Sequence, residues 1–252
     1  MPRHHLPFAA VLLALAALGP SFGCSAPASL DRQSLHTFDR DSSWNVTDLS
    51  VDYWLYTPPG YDDPANANIA YPLLIFLHGT GESGGSPTKV ATHGPPALIE
   101  QGQDFPFLVV SPHNPGELPH NLWLTDFLAA LADHATTTHR VDPDRVYLAG
   151  FSLGGYAAYN WAATQPDRFA ALVPIATWGY PAEARNFAGV PIRAYHGNLD
   201  LIVNPSHARS ILDAHRAAGG TNELITLPVG HGAATPAFED PELVEWLLQQ
   251  SR

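Results

Sequence analysis

The most constraining feature of this chain is a series of short, wholly apolar runs that alternate with longer segments of helical periodicity. One run, Leu73 to Leu77, stops at His78-Gly79, and another strand-like run, Arg145 to Ala149, leads into Gly150. A short run that is apolar throughout fits a strand buried on both faces, as in a parallel sheet. The alternation therefore predicts an α/β fold: a mostly parallel central sheet with helices on both faces.

The other predicted elements follow the same alternation. Strands are expected at 51–56, 107–111, 170–175, 192–195 and 224–227; helices are expected at 122–139 and 153–164, from an N-cap at Ser206 to Gly219-Gly220, and at 241–249. In an open sheet of this kind, ligands bind beyond the carboxyl ends of the strands. The polar and glycine-rich residues of this chain cluster where strands end, which places a functional site at that edge.

The N-terminus has the pattern of an export signal. Basic Arg3 precedes an apolar run from Leu6 to Leu18, and small residues follow it up to Cys24. The run is shorter than the ~20 residues of a membrane-spanning helix. We expect a signal peptide over 1–23, a polar and loosely ordered lead-in over 24–47, and one folded domain over 48–252. The protein is then secreted or periplasmic.

Cys24 is the single cysteine, so no intrachain disulfide can form. Its place directly after the apolar run makes it a lipidation candidate, and simple secretion is the equal alternative. A lipidated Cys24 would anchor the protein to a membrane without spanning it.

Composition excludes several classes of partner. The net charge is -12, and the chain has no run of basic residues and a single lysine, Lys89. Such a chain lacks the electrostatic footprint of a nucleic-acid-binding protein. The glycine-rich segment 79–85 is not followed by Gly-Lys-Ser/Thr and is no phosphate loop. We expect no cofactor and no metal, and the sequence gives no indication of oligomeric state.

Gly150-Phe151-Ser152-Leu153-Gly154 matches the G-x-S-x-G pattern of a nucleophile elbow. The match carries weight because a predicted strand precedes it and a predicted helix follows it. In that context the serine occupies a sharp turn and its hydroxyl projects from the sheet edge. Ser152 is therefore the candidate nucleophile.

A serine hydroxyl needs a base, and the base needs an orienting acid. His231 follows the last predicted strand between two glycines, and Asp200 follows the preceding strand in His196-Gly197-Asn198-Leu199-Asp200. Asp213 and Asp240 are poorer candidates because they fall in or at helices. We predict a Ser152, Asp200, His231 triad, and we read His196 as structural or pocket-lining.

Acyl transfer also needs two N–H donors for the developing oxyanion. Leu153 follows the nucleophile and should supply one. Thr80, in His78-Gly79-Thr80-Gly81-Glu82 after the strand that ends at Leu77, should supply the other.

From about Tyr53 onward, these motifs resemble the α/β-hydrolase superfamily, in particular the compact carboxylesterases and predicted peptidases related to feruloyl esterases and polyhydroxybutyrate depolymerases. The resemblance implies the α/β-hydrolase fold and hydrolysis through a seryl acyl-enzyme. The chain departs from the pattern at Ser83, where relatives often carry arginine after the glutamate. Trp123 matches a tryptophan of the branch. The motifs that carry the resemblance are 77–82, 141–147, 150–155, 196–200 and 230–231.

The predicted loop Ala176 to Pro191 is too short for a large lid domain, so we expect an open, shallow site. Trp123, Trp178 and Tyr180 are candidates to line it, and aromatic walls suit aryl or short acyl esters. The expected substrate is a small or polymeric carboxylic ester. The alternatives are a serine peptidase that acts on small peptides with the same triad and an inactive surface-binding lipoprotein.

Overall fold

The computed structural model describes residues 29–39, 50–116 and 123–252. Within these ranges eight strands form one sheet in the order β1-β2-β4-β3-β5-β6-β7-β8. The strand β2 runs antiparallel to both of its neighbours, and all other pairs from β4 to β8 are parallel. The strands are β1 (Ser34–Asp39), β2 (Ser50–Tyr56), β3 (Tyr71–Leu77), β4 (Leu108–Pro112), β5 (Val141–Phe151), β6 (Ala171–Ile175), β7 (Ile192–Gly197) and β8 (Asn222–Leu227).

Helices cover both faces of the sheet, because its central strands are apolar on both sides. Along β3, Leu73, Ile75 and Leu77 belong to one apolar cluster, whereas Leu74 and Phe76 belong to another. The helices are α1 (Gly94–Glu100), α2 (Thr125–Thr138), α3 (Leu153–Thr164), α4 (Ser206–Ala217), α5 (Ala234–Glu239) and α6 (Pro241–Leu248). The helices α2, α3 and α4 pack on the first cluster, and α1, α5 and α6 pack on the second. The predicted fold class is confirmed.

Three differences from the sequence prediction concern local structure. The segment expected to be a loosely ordered lead-in contains β1, which pairs with β2, so the described sheet begins at Ser34. The helices α1 and α5 were not predicted. Ser206 is the first residue of α4 and not its cap; the side chain of Asn204 accepts a hydrogen bond from the Ser206 N–H instead. The predicted signal peptide and Cys24 lie outside the described residues.

The topology gathers the functional loops at one edge. The strands β3, β5, β7 and β8 run parallel, so their carboxyl ends, at Leu77, Phe151, Gly197 and Leu227, face the same side of the sheet. The connection from β6 to β7 contains only one short 3-10 helix, Pro181–Phe187. Within the described residues, no helix combines the length and apolarity that crossing a membrane requires.

Candidate active site

Ser152 occupies a strained turn between β5 and α3. Its φ of 53° and ψ of -116° lie in a region that residues with a side chain rarely adopt. Three contacts hold it there: its N–H donates to Ile175 O at 2.9 Å, and its carbonyl accepts from the Tyr156 N–H and from the Thr177 hydroxyl. The turn therefore fixes the serine backbone on both sides and leaves its side chain at the sheet edge.

Close packing around this turn requires glycine. A Cβ atom on Gly150 would lie 2.3 Å from Gly154 O, and one on Gly154 would lie 2.0 Å from Leu77 O. Both distances are impossible for real atoms, so only glycine lets α3 begin against the ends of β5 and β3. This packing brings the first peptide of α3 next to the loop that follows β3.

The side chains of the three predicted triad residues form a hydrogen-bonded row. The Ser152 hydroxyl lies 2.9 Å from His231 Nε2, and His231 Nδ1 lies 2.8 Å from Asp200 Oδ2. Ser152 and Asp200 are buried, whereas His231 is partly exposed. An imidazole held in this way can take a proton from the serine while the carboxylate stabilises the resulting imidazolium.

Asp200 is held as a carboxylate by several donors. Burial alone would raise its pKa, but hydrogen bonds from His196, His231 and the Val203 N–H hold the pKa well below the usual range. The Ile202 and Val203 N–H groups donate to Oδ1 at 2.9 Å each. His196 Nε2 lies 3.3 Å from Oδ2 and 2.9 Å from Val203 O. His196 is thus buried directly behind the acid and does not line an open pocket.

The loops after β7 and β8 pack directly on each other. A Cβ atom on Gly197 would lie 2.0 Å from Gly230 O, so glycine is again required. The N–H groups of Asn198 and Leu199 donate to Leu227 O and Val229 O. These contacts fix the position of the Asp200 loop relative to His231.

The two predicted oxyanion donors both begin helical segments. Leu153 is the first residue of α3, and Thr80 is the first residue of a 3-10 turn, Thr80–Glu82. The N–H of a first helical residue has no partner within its helix and is available to a ligand. Because Gly154 packs on Leu77, the two N–H groups start from neighbouring points of the sheet edge.

His78 braces the turn that carries Thr80. Its Nδ1 donates to Gly79 O at 2.7 Å, and its Nε2 accepts from the Asn114 N–H at 3.0 Å. Burial lowers the pKa of His78 to about 3, so the ring is neutral in this arrangement. Trp123 donates from Nε1 to His78 O at 3.3 Å and packs edge-on against the imidazole. The structure thus places Trp123 as a support for this turn.

The other two predicted aromatic residues both pack on Tyr156. Trp178 stacks on Tyr156 with ring centroids 5.4 Å apart, and Tyr180 meets Tyr156 edge-on at 6.0 Å. Tyr156 belongs to the first turn of α3 and was not predicted as a site residue. Its position, one helical turn after Ser152, is the signal that would have identified it.

Sequence reasoning assigned no site role to two polar residues near the oxyanion turn. Glu82 is buried, and His93 Nε2 lies 3.4 Å from its Oε1. The ring of His93 packs against Phe151, which in turn packs against His231. No cluster of three or more metal-ligating side chains occurs among the described residues.

Comparisons with known proteins identify the fold family. The family model for the alpha/beta hydrolase fold matches residues 72–220. NocK of Nocardia uniformis subsp. tsuyamanensis, which is named as an esterase, is 34% identical over 140 residues, which cover 51% of this chain and 40% of NocK. Poly(3-hydroxyalkanoate) depolymerase C of Paucimonas lemoignei is 26% identical over 166 residues, covering 60% of this chain and 37% of the depolymerase. The chain thus spans about two fifths of the length of these relatives.

Solved structures show the same fold. A thermostable esterase superposes with a TM-score of 0.72 at 24% identity, over 88% of this chain and 64% of the esterase. A ferulic acid esterase superposes with a TM-score of 0.61 at 18% identity, over 86% of this chain and all of the esterase. Since the family model matches more than half of the sequence, the chain belongs to the α/β-hydrolase fold family.

Proposed function

We propose that this protein is a serine hydrolase that cleaves carboxylic esters through a seryl acyl-enzyme. The observation that carries the proposal is the continuous row from the Ser152 hydroxyl through His231 to the Asp200 carboxylate, with both hydrogen bonds shorter than 3 Å. A structural serine would not need a strained backbone, a paired imidazole and a buried carboxylate at the same sheet edge.

In the first half-reaction Ser152 attacks the ester carbonyl carbon and His231 accepts the hydroxyl proton. The N–H groups of Thr80 and Leu153 stabilise the negative oxygen of the tetrahedral intermediate. His231 then gives the proton to the departing alkoxide, which leaves as the alcohol, and the acyl group remains on Ser152. In the second half-reaction water attacks the acyl-enzyme, with His231 as the base, and the carboxylic acid is released.

The relatives favour an ester over an amide as the substrate. NocK is named as an esterase and the Paucimonas protein as a poly(3-hydroxyalkanoate) depolymerase. Peptidases also occur among the structural neighbours, but acylaminoacyl peptidase of Pyrococcus horikoshii is 15% identical, which supports the fold alone. A peptidase that uses the same triad is therefore the second candidate.

The surroundings of the triad suit a bulky ester. Trp178 and Tyr180 pack on Tyr156, one helical turn after Ser152, and the Asp200 loop exposes apolar side chains, with Leu201 98% exposed. The short connection from β6 to β7 leaves this region open. We therefore propose an open site for aryl, short acyl or polymeric esters, with Trp178 and Tyr180 as substrate contacts.

Labelling with a fluorophosphonate probe, together with an ester panel of graded acyl length, tests the proposal. We expect the wild-type protein to take the label and Ser152→Ala to take none, with ester turnover reduced by at least about 10³-fold. Ser206→Ala, at an exposed serine on α4, is the matched control and should behave as wild type. Parallel assays on peptide amides separate the esterase from the peptidase.

A well-folded wild-type protein that takes no label and hydrolyses no ester or amide would overturn the proposal. Full turnover in Asp200→Asn would show instead that another acid orients His231.

A further inference from the structure

A buried carboxyl group lies beside the oxyanion turn and has no role in the mechanism above. Glu82 ends the 3-10 turn that Thr80 begins, and it is 5% exposed. Its Oε2 makes no hydrogen bond of good geometry within the described part of the chain. His78 Nδ1 lies 4.0 Å from Oε2, but that nitrogen already donates to Gly79 O and the ring is neutral.

A carboxyl group in this position destabilises the fold unless something compensates. Burial raises the pKa of Glu82, while the backbone N–H groups of Glu82 itself and of Gly79 act in the opposite direction. Buried polar groups without partners are rare in folded proteins, and many of those that persist have a role in function. The burial of Glu82 therefore indicates a role beyond packing.

The carboxylate lies against the peptide that leads into Thr80. A Cβ atom on Gly79 would be 3.2 Å from Glu82 Oε2, so the carboxylate packs on the chain one residue before the oxyanion donor. The Gly79 N–H is also one of the groups that lower the pKa of Glu82, so it lies close to the carboxylate. The direction of the Thr80 N–H depends on the shape of the 79–82 turn.

The imidazole of His93 covers the Glu82 carboxylate on its solvent-facing side. Its Nε2 lies 3.4 Å from Oε1, and its side chain is 33% exposed, compared with 6% for that of Glu82. The backbone next to it is anchored, because the Gly94 N–H donates to Thr235 Oγ1 at 3.0 Å. The imidazole therefore lies between the Glu82 carboxylate and the Phe151 ring.

We propose that Glu82 is a positioning residue that holds the oxyanion turn in the shape that directs the Thr80 N–H toward the transition state, and that His93 keeps the carboxylate in place. The inference rests on the proposed function. Because the effect acts on an N–H group that stabilises the developing oxyanion, it belongs to the transition state and not to substrate binding.

The test compares the two carboxyl variants by kinetics on one aryl ester. Glu82→Gln keeps the shape and one acceptor, whereas Glu82→Ala removes both. We expect kcat to fall about 10-fold in Glu82→Gln and about 100-fold in Glu82→Ala, with KM nearly unchanged. His93→Gln, which keeps a donor near Oε1, should retain more activity than His93→Ala. Ser83→Ala, at the adjacent residue, is the matched control and should keep wild-type kcat.

An arylboronic acid gives a readout that a merely structural role would not change. It forms a tetrahedral adduct with Ser152 that places an oxygen in the oxyanion hole, so its affinity should weaken in the same proportion as kcat. Thermal unfolding shows whether each variant is folded. If Glu82→Ala does not fold, the kinetics of Glu82→Gln alone test the positioning role.

The outcomes separate the two proposals. An active wild type whose Glu82→Gln variant keeps kcat and boronate affinity, or changes only in KM, overturns the role of Glu82 alone. A wild type that neither takes a fluorophosphonate nor hydrolyses an ester overturns both.

Discussion

At the scale of single residues, the acid of the triad is held more firmly than the base. His231 Nδ1 and His196 Nε2 both face Asp200 Oδ2, at 2.8 and 3.3 Å, and two backbone N–H groups donate to Oδ1. A carboxylate whose charge faces several N–H groups attracts each proton less strongly. His196 is buried behind Asp200, and we expect it to influence how strongly Asp200 stabilises the imidazolium form of His231.

Replacing His196 by phenylalanine tests this role. Without the second imidazole, Asp200 should stabilise protonated His231 more strongly. Since His231 must be neutral to accept the serine proton, we expect the acid limb of the kcat/KM profile to move to higher pH. The measurement is a pH–rate profile on a soluble ester. His196→Gln, which keeps a donor, should lie between the variant and wild type, and an unmoved acid limb in His196→Phe would contradict the argument.

The sequence predicted the polar row but not the groups around it. Ser152, Asp200 and His231 each follow a predicted strand, so local pattern alone places them at one edge. The position of His196 depends on the loop that returns to place Val203 O beside its ring. The burial of Glu82 depends on a distant segment that includes His93. Such contacts arise from packing between distant parts of the chain, which periodicity does not encode.

At the scale of secondary-structure elements, the elbow shows the strongest link between sequence and structure. The helix predicted at 153–164 has these bounds in the structure, because a glycine-rich turn starts it and Gln165-Pro166 ends it. The strand β1 was missed because it lies at the sheet edge with no buried residue, so its pattern is mostly polar. The helix α1 was missed because Gly94-Pro95-Pro96 reads as a break, although proline is tolerated in a first helical turn.

Substitution of Gly154 tests the close approach of α3 to β3. In Gly154→Ala the new methyl group would overlap Leu77 O, which lies 2.0 Å from the Cβ position. We expect the free energy of unfolding to fall by about 1–3 kcal/mol or more and ester turnover to be lost, since the Leu153 N–H must move. Urea unfolding and ester kinetics measure the two effects.

Gly189→Ala is the control for this substitution, because its Cβ would meet nothing within 4 Å. It should change stability by less than about 0.5 kcal/mol. If both variants lost the same free energy of unfolding, the close packing of Gly154 on Leu77 would not be the cause of the loss in Gly154→Ala.

At the scale of the whole molecule, the packed core holds several histidines in the neutral form. Burial lowers the pKa of His78 to about 3, and it also lowers the pKa of His113 and of His215. The unfolded chain has no such restraint, and its histidines take up protons near pH 6.5. Acidification therefore favours the unfolded state long before the carboxylates titrate.

We expect the free energy of unfolding to fall as the pH is lowered from 7.5 to 5. The sign follows from linkage: a histidine with a lowered folded pKa gives the unfolded state more bound protons below pH 6.5, so stability is lost there. His78 alone contributes about 2 kcal/mol of this loss at pH 5. The depressed pKa of Asp200 adds its own loss only below about pH 4.

Urea unfolding at several pH values measures this dependence. His78→Asn, which keeps a side chain able to donate to Gly79 O, should flatten the curve between pH 7 and 5 relative to wild type. His207→Asn, at an exposed position on α4, is the control and should leave the slope as it is. A wild-type curve that is flat across this interval would contradict the prediction.

The strand order places the candidate site away from the β1–β2 margin of the sheet. The proposed triad lies in the loops after β5, β7 and β8, whereas β1 and β2, at the opposite margin, contribute no residue to the described site. We therefore expect a fused module or an immobilising linker attached at β1 to leave the proposed chemistry unchanged. The enzyme we propose could thus be attached to a support through the β1–β2 margin while the candidate site stays accessible.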